Sequence, residues 1–254
     1  MISRWRRAPG ERQLTALLAM SMALSALGID LMLPAFDEIR AELGMAEGAT
    51  AVTGLITAYF LGLAVGQLVY GPVADRFGRR RALYIGYAVY GVGALATTVA
   101  PSFGLMLLGR FVWGLGAAGP RVVTLAVVRD RYEGDRMSRA MSSIMAVFIL
   151  VPVVSPALGA GIVAVASWRW VFGVCVIAAA VMAVWALRLP ETLREEHRME
   201  RLRFAPIARA ARIVVSDRRA VAYTLAMTSL YGALTSYLGT SENLIGDTFG
   251  RPDS

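Results

Sequence analysis

Gly71-Pro72-Val73-Ala74-Asp75-Arg76-Phe77-Gly78-Arg79-Arg80-Arg81-Ala82-Leu83 decides how this chain is read. It joins two apolar runs, 51–73 and 82–100, and sets Arg76, Arg79, Arg80 and Arg81 around a single acid, Asp75. Gly71, Pro72 and Gly78 are turn residues, since glycine admits positive φ and proline discourages helix continuation. The four guanidinium groups must stay in water, so the stretch pins both apolar runs at one membrane surface. A short arginine-rich turn between spans marks the cytoplasmic side.

Composition agrees with a polytopic membrane protein. Of 254 residues 57% are hydrophobic and only 17% charged, against about 25% charged in soluble domains. The formal charge is +8, all of its basic side chains are arginine, and these fill the gaps between apolar runs rather than one face of a soluble domain. The partner implied is the lipid bilayer, not nucleic acid. The single cysteine, Cys175, lies in an apolar run and the single histidine, His197, in a charged connector. No disulfide framework, metal site or cofactor is expected. With no nucleophile–base pair in view, the chain does not read as an enzyme.

Outward from the basic stretch the runs fall in order. Residues 14–36 form a first span, too long for the apolar core of a signal peptide, and 37–50 an acidic loop with Asp37, Glu38, Glu42 and Glu47. The second span carries Gly62 and Gly66 at close-packing spacing. A fourth covers 103–128, a fifth 141–165, kinked or interrupted near Pro152 and Pro156, and a sixth 171–189 after the interfacial turn Ser167-Trp168-Arg169-Trp170. In the charged connector 190–219, Phe204, Ile207, Ala208, Ala211, Val214 and Val215 recur at helical spacing with Arg209 and Arg212 off the stripe. That pattern fits either a short helix lying on an anionic leaflet or a solvated linker. A seventh, unusually polar span covers 220–240. Twenty-one arginines, Arg4, Arg6 and Arg7 among them, lie on one side of this arrangement and three on the other, which predicts a cytoplasmic N-terminus.

Three ionisable residues lie inside apolar runs: Asp30, Arg110 and Arg121. A charge at mid-span costs about 2.5–3.5 kcal/mol on insertion scales and usually faces a cavity or a partner. At 1.5 Å per residue, Asp30 and Arg110 both lie ~10 Å below the outer boundary, a depth at which they can pair. Arg121 lies three turns further along, near the inner mouth, where snorkelling and a cavity role are both open.

Gly71, Asp75, Arg76, Gly78, Arg79 and Arg80 resemble, in order and spacing, the cytoplasmic loop between helices 2 and 3 of the major facilitator superfamily of transporters. Leu27-Gly28-Ile29-Asp30-Leu31-Met32-Leu33-Pro34-Ala35 is similar to the first helix of its Bcr/CflA-type drug/proton antiporters. Arg110-Phe-Val-Trp113-Gly114-Leu-Gly116 looks like the superfamily's helix-4 motif, and Pro156-Ala-Leu-Gly159 resembles the helix-5 antiporter motif, with Ser155 and Ala160 replacing two of its glycines. Ser167-Trp168-Arg169 and Leu189-Pro190-Glu191-Thr192 are also similar to Bcr/CflA proteins.

The resemblance implies an all-α fold with twelve helices in two halves, each a 3+3 inverted repeat. Residues 1–189 would be the six-helix N-terminal half, 190–219 the cytoplasmic inter-half linker, and 220–254 the first helix of a C-terminal half that is otherwise missing. It implies a bacterial inner-membrane location and proton-coupled efflux of small, largely apolar compounds, with the proton gradient as coupling ion, Asp30 and Arg110 as the coupling pair, and the 71–80 motif as a conformational gate. Cavity candidates are Met22, Met32, Tyr59, Gln67, Trp113 and Arg121. The rivals are uptake of a sugar or organic acid by the same fold, and a membrane fragment that transports nothing.

Overall fold

The structure, a computed structural model, describes residues 10–46, 50–200 and 205–249. Arg4, Arg6, Arg7, Glu47, Phe204 and residues 250–254 lie outside the described residues. These contain nine α-helices and no strand: α1 (Glu11–Asp30), α2 (Phe36–Glu42), α3 (Gly54–Phe77), α4 (Arg79–Thr98), α5 (Phe103–Arg131), α6 (Gly134–Val165), α7 (Arg169–Trp185), α8 (Ala205–Ser216) and α9 (Arg218–Phe249). They fall into two compact units, Met1–Leu202 and Arg203–Ser254.

The first apolar run does not make one helix. Pro34 has no N–H to give, and its ring crowds the carbonyl of the residue four earlier, which is Asp30. So α1 stops at Asp30, a 3₁₀ turn covers Leu33–Ala35, and α2 starts afresh at Phe36.

The Gly71-Pro72 turn expected from the sequence is not there. α3 runs on through both residues to Phe77, and the whole reversal is made by Gly78 at φ 95° and ψ 157°. A proline inside a helix removes one hydrogen bond but keeps a helical φ, a loss that spanning helices absorb. α6 likewise passes Pro152 and Pro156 without interruption, and it starts at Gly134 rather than at 141.

Among the described residues five helical stretches are long and apolar enough to cross a membrane: Glu11–Glu42, Ala51–Phe77, Phe103–Arg131, Gly134–Val165 and Arg169–Arg188. The third and seventh expected spans are helical, as α4 and α9, but are not among the five. Three arginines occupy the first turn of α4, and α9 opens on Arg218-Arg219 and carries many hydroxyl side chains. Thr224 and Thr228 donate those hydroxyls to carbonyls of their own helix.

Within the first unit α5 is the central post. A methyl group added to Gly114 would lie 2.0 Å from the Tyr59 carbonyl oxygen of α3, and one on Gly116 would lie 2.1 Å from the Tyr90 nitrogen of α4. The two helix-4 motif glycines therefore seat α5 backbone-to-backbone on both neighbours. Gly62 answers from α3 against Phe111, and Gly93 from α4 against Trp113. α1 packs on α6 as α3 packs on α5, α1 on α7 as α4 on α5, and α4 on α7. Exchanging α1, α3, α4 for α5, α6, α7 leaves this set of pairs unchanged. The exchanged helices run in opposite directions, which makes the repeat an inverted one.

Candidate functional site

α1 is held by polar side chains that reach its backbone carbonyls. Tyr59 of α3 donates its hydroxyl to the Ser25 oxygen at 2.7 Å and Tyr90 of α4 to the Leu24 oxygen at 2.9 Å. Ser25 in turn donates to the Ala117 oxygen of α5 at 2.9 Å. Buried hydroxyls in an apolar bundle need such partners, and this set fixes α1 in rotation and depth.

Arg110 extends the same pattern. It is fully buried, donates from Nη1 to the Gly28 oxygen at 2.7 Å and from Nε to the Leu55 oxygen at 3.2 Å, and its Nη2 has no hydrogen-bond partner. Its guanidinium carbon lies 4.6 Å from the Tyr59 ring centre and 4.7 Å from that of Trp113. Gly28 sits in the last turn of α1, where carbonyls have no intrahelical partner and the macrodipole favours a cation. That end effect and two aromatic faces do for Arg110 what a counter-ion does elsewhere.

The expected Asp30–Arg110 ion pair is not formed. Asp30 ends α1, 4% exposed, two residues beyond the carbonyl that Arg110 holds, and among the described residues no ion pair involves it. Depth matching brought the two residues to the same place. It could not show that the guanidinium's donors are taken by backbone oxygens.

The basic stretch forms a connected cluster at one end of the bundle. Arg79 bridges Asp75 at 2.5 Å and Asp130, at the end of α5, at 2.9 Å. Glu191, just past α7, accepts the backbone N–H groups of Arg79 at 2.8 Å and Arg80 at 3.2 Å, capping the start of α4. A side chain on Gly78 would lie 2.3 Å from that carboxylate. Thr192 donates to Asp130, Arg198 donates to the Arg76 oxygen, and the Met199 N–H reaches the Asp75 oxygen. Residues 190–199, the start of the expected inter-half linker, are strapped across the α3–α4 joint. Arg76 and Arg80 lie over the rings of Phe77 and Tyr84. Gly71 leaves room for a side chain: nothing beyond its own stretch of helix lies within 4 Å of where its Cβ would be.

A second cluster, which sequence reasoning missed, closes the other end. Glu42 of α2 accepts from the Trp168 indole and from Arg169, and Glu38 accepts the Trp168 backbone N–H at 3.2 Å. The repeat exchanges α4 with α7 and α5 with α1. Arg79 at the start of α4, paired with Asp130 at the end of α5, thus has its counterpart in Arg169 at the start of α7, paired with Glu42 after α1. The signal was present as SWRW opposite an acidic loop, but over a hundred residues separate the partners.

The remaining candidates scatter. Gly159 of α6 meets α1 at its break: a Cβ there would lie 2.2 Å from the Leu31 oxygen and 3.3 Å from Pro34. Pro156 is half-buried within the same continuous helix. Met22, Met32, Tyr59 and Trp113 are 0–2% exposed and belong to the packed core rather than to a cavity wall. Long apolar side chains on spanning helices pack against neighbours unless a gap is left for them. Gln67 is exposed on α3, and Arg121 is half-buried over the Phe148 ring at 5.6 Å.

Comparison with known proteins gives a consistent result. The family described as Major Facilitator Superfamily matches residues 18–250. The chain is 31% identical over 240 residues to the uncharacterized MFS-type transporter YdgK of Bacillus subtilis, covering 93% of this chain and 59% of that protein. It is 32% identical over 230 residues to the bicyclomycin resistance protein homolog of Haemophilus influenzae, covering 90% and 57%. The proton:xylose symporter XylE bound to 6-bromo-6-deoxy-D-glucose superposes with a TM-score of 0.65 at 13% identity, over 94% of this chain and 55% of that one. That likeness shows the fold. The chain spans about half the length of the curated relatives it matches.

Proposed function

Because the chain belongs to the Major Facilitator Superfamily, with a relative of the Bcr type, we propose that it supplies the first six-helix bundle of a proton-coupled efflux transporter for small, largely apolar compounds. The residues of the site are Asp30 and Arg110, and the second bundle implied by the resemblance is the partner against which they work. The membrane is the bacterial inner membrane, with the N-terminus in the cytoplasm.

The observation that carries this reading is the end of α1. A buried carboxyl sits where the helix breaks, two residues past the carbonyl that holds a buried guanidinium with one donor still unused. A carboxyl buried alone favours its neutral form, and an approaching guanidinium favours the ionised one. Shifting Arg110 between the Gly28 carbonyl and Asp30 makes proton uptake and release at Asp30 depend on conformation. Each inward proton gains about 2.3 kcal/mol per 100 mV, enough to hold a neutral solute against a roughly fiftyfold gradient.

The test is bicyclomycin efflux from cells expressing this chain together with a second six-helix bundle from a relative. Wild-type chain is expected to lower intracellular bicyclomycin in a manner abolished by collapsing the pH gradient. Asp30→Asn at matched expression is expected to lose the gradient-driven component while the protein still inserts and folds. Full gradient-driven efflux by Asp30→Asn would place the coupling acid elsewhere.

A further inference from the structure

α8 is twelve residues long, about 18 Å at 1.5 Å per residue. That is too short to cross a bilayer of ~30 Å hydrocarbon. At 100° per residue Arg209, Arg212 and Ser216 fall within one narrow stripe, and the rest of the helix is alanine, isoleucine, valine and one proline. Ile213, Val214 and Val215 are 64%, 45% and 74% exposed, and α8 packs against α9. Arg218 and Arg219 follow at once, with Asp217 the only acid between 205 and 219. A wide apolar face, a narrow cationic stripe and insufficient length to span describe a helix for an interface.

We infer that α8 lies along the membrane surface on the arginine-rich side, its apolar face in the acyl boundary and Arg209 and Arg212 among anionic lipid headgroups. The occupant is a lipid leaflet rather than another protein because both charged residues of the polar stripe, Arg209 and Arg212, are cationic. A protein groove would set acids against Arg209 and Arg212, whereas headgroup phosphates meet the stripe along its whole length. The long arginine stems allow the helix axis to sit below the charge plane. Docked in this way, α8 ties the charged connector 190–219 to the bilayer, and its hold strengthens with anionic lipid content.

The experiment uses the full 254-residue chain in vesicles, labelled with a fluorophore at Val214→Cys or at Arg209→Cys in a Cys175→Ala background. Quenching is compared between nitroxides on lipid chains and a water-soluble quencher, in phosphatidylcholine with and without phosphatidylglycerol. The label at 214 is expected to be quenched by the lipid-chain nitroxide and the label at 209 by the aqueous quencher. Adding phosphatidylglycerol raises the docked fraction. Arg212→Gln lowers the docked-to-undocked ratio by about fivefold in the anionic vesicles and leaves it unchanged in the neutral ones. Aqueous quenching at 214 in both lipids would make α8 a solvated linker. Shielding of 214 from both quenchers would make it a protein contact. Either result overturns the assignment.

Discussion

Gly71 and Gly78 stand seven residues apart in one motif and answer to different demands. At Gly78 the backbone is at φ 95° and Glu191 occupies the space where a side chain would start. Gly78→Ala is therefore expected to destabilise the bundle by about 2 kcal/mol, through left-handed strain and a displaced cap. Gly71 is helical, with nothing near its missing Cβ, so Gly71→Ala is expected to be neutral or to stabilise by up to about 1 kcal/mol through helix propensity. Thermal unfolding in detergent separates the two, and equal losses would remove the steric account of this motif. Arg110→Ala is expected to cost about 3 kcal/mol, because it empties a buried volume and strips donors from the Gly28 and Leu55 carbonyls. The sequence made Arg110 conspicuous, since a buried charge is costly. It did not reveal that backbone oxygens and aromatic rings, rather than Asp30, receive it. Aromatic neighbours in membrane helices are common, and helix-end carbonyls leave no mark in residue identity.

At the scale of elements, apolar runs locate helices well and joints poorly. The helices α3 to α7 lie close to where hydropathy puts them, because a bilayer leaves the backbone no other way to satisfy its polar groups. The joints depend on single residues whose effect is positional: Pro34 breaks α1 by crowding Asp30, while Pro72, Pro152 and Pro156 break nothing. The two end clusters were illegible for a different reason, since Arg79 and Glu191 are 112 residues apart. Their pseudo-symmetry has a consequence. Glu191→Ala removes the acceptor for the first N–H groups of α4, a loss of about 1 kcal/mol, so amide exchange at Arg79 and Arg80 is expected to quicken about fivefold while the start of α7 is unaffected. Glu42→Ala is expected to loosen Trp168 and Arg169 and spare α4. The clusters close opposite ends of the bundle and share no partner, so the double variant is expected to lose the sum of the two single losses to within about 0.5 kcal/mol. A coupling well beyond that would mean the bundle transmits strain from one face to the other.

For the molecule as a whole, orientation follows from where arginine is allowed to be. The clusters at the two ends are built alike, arginine against carboxylate, yet they differ in surplus charge. Around the α3–α4 joint Arg76, Arg80 and Arg81 remain after Arg79 is paired, and Arg129, Arg131, Arg136 and Arg139 surround the neighbouring α5–α6 joint. At the opposite end Arg40 and Arg169 face Asp37, Glu38 and Glu42. Translocating a short arginine-rich joint is opposed, whereas acidic loops contribute little to orientation. The basic end should therefore be retained in the cytoplasm and the acidic end should cross. A phosphatase active only outside the cytoplasm is expected to be inactive when fused after Arg139 and active when fused after Gly44. The sharper variant acts on the charge and leaves the fold alone. Arg76, Arg80 and Arg81 make no ion pair among the described residues, so replacing all three with glutamine should leave the Asp75–Arg79–Asp130 bridge standing. It should also weaken retention of the joint, raising phosphatase activity at the Arg139 fusion. If that fusion stays silent, arginines in the flanking joints hold the orientation without help from this one. If the unsubstituted chain shows activity after Arg139 instead, the bundle is inserted the other way up, and the end of α1 carrying Asp30 opens toward the cytoplasm.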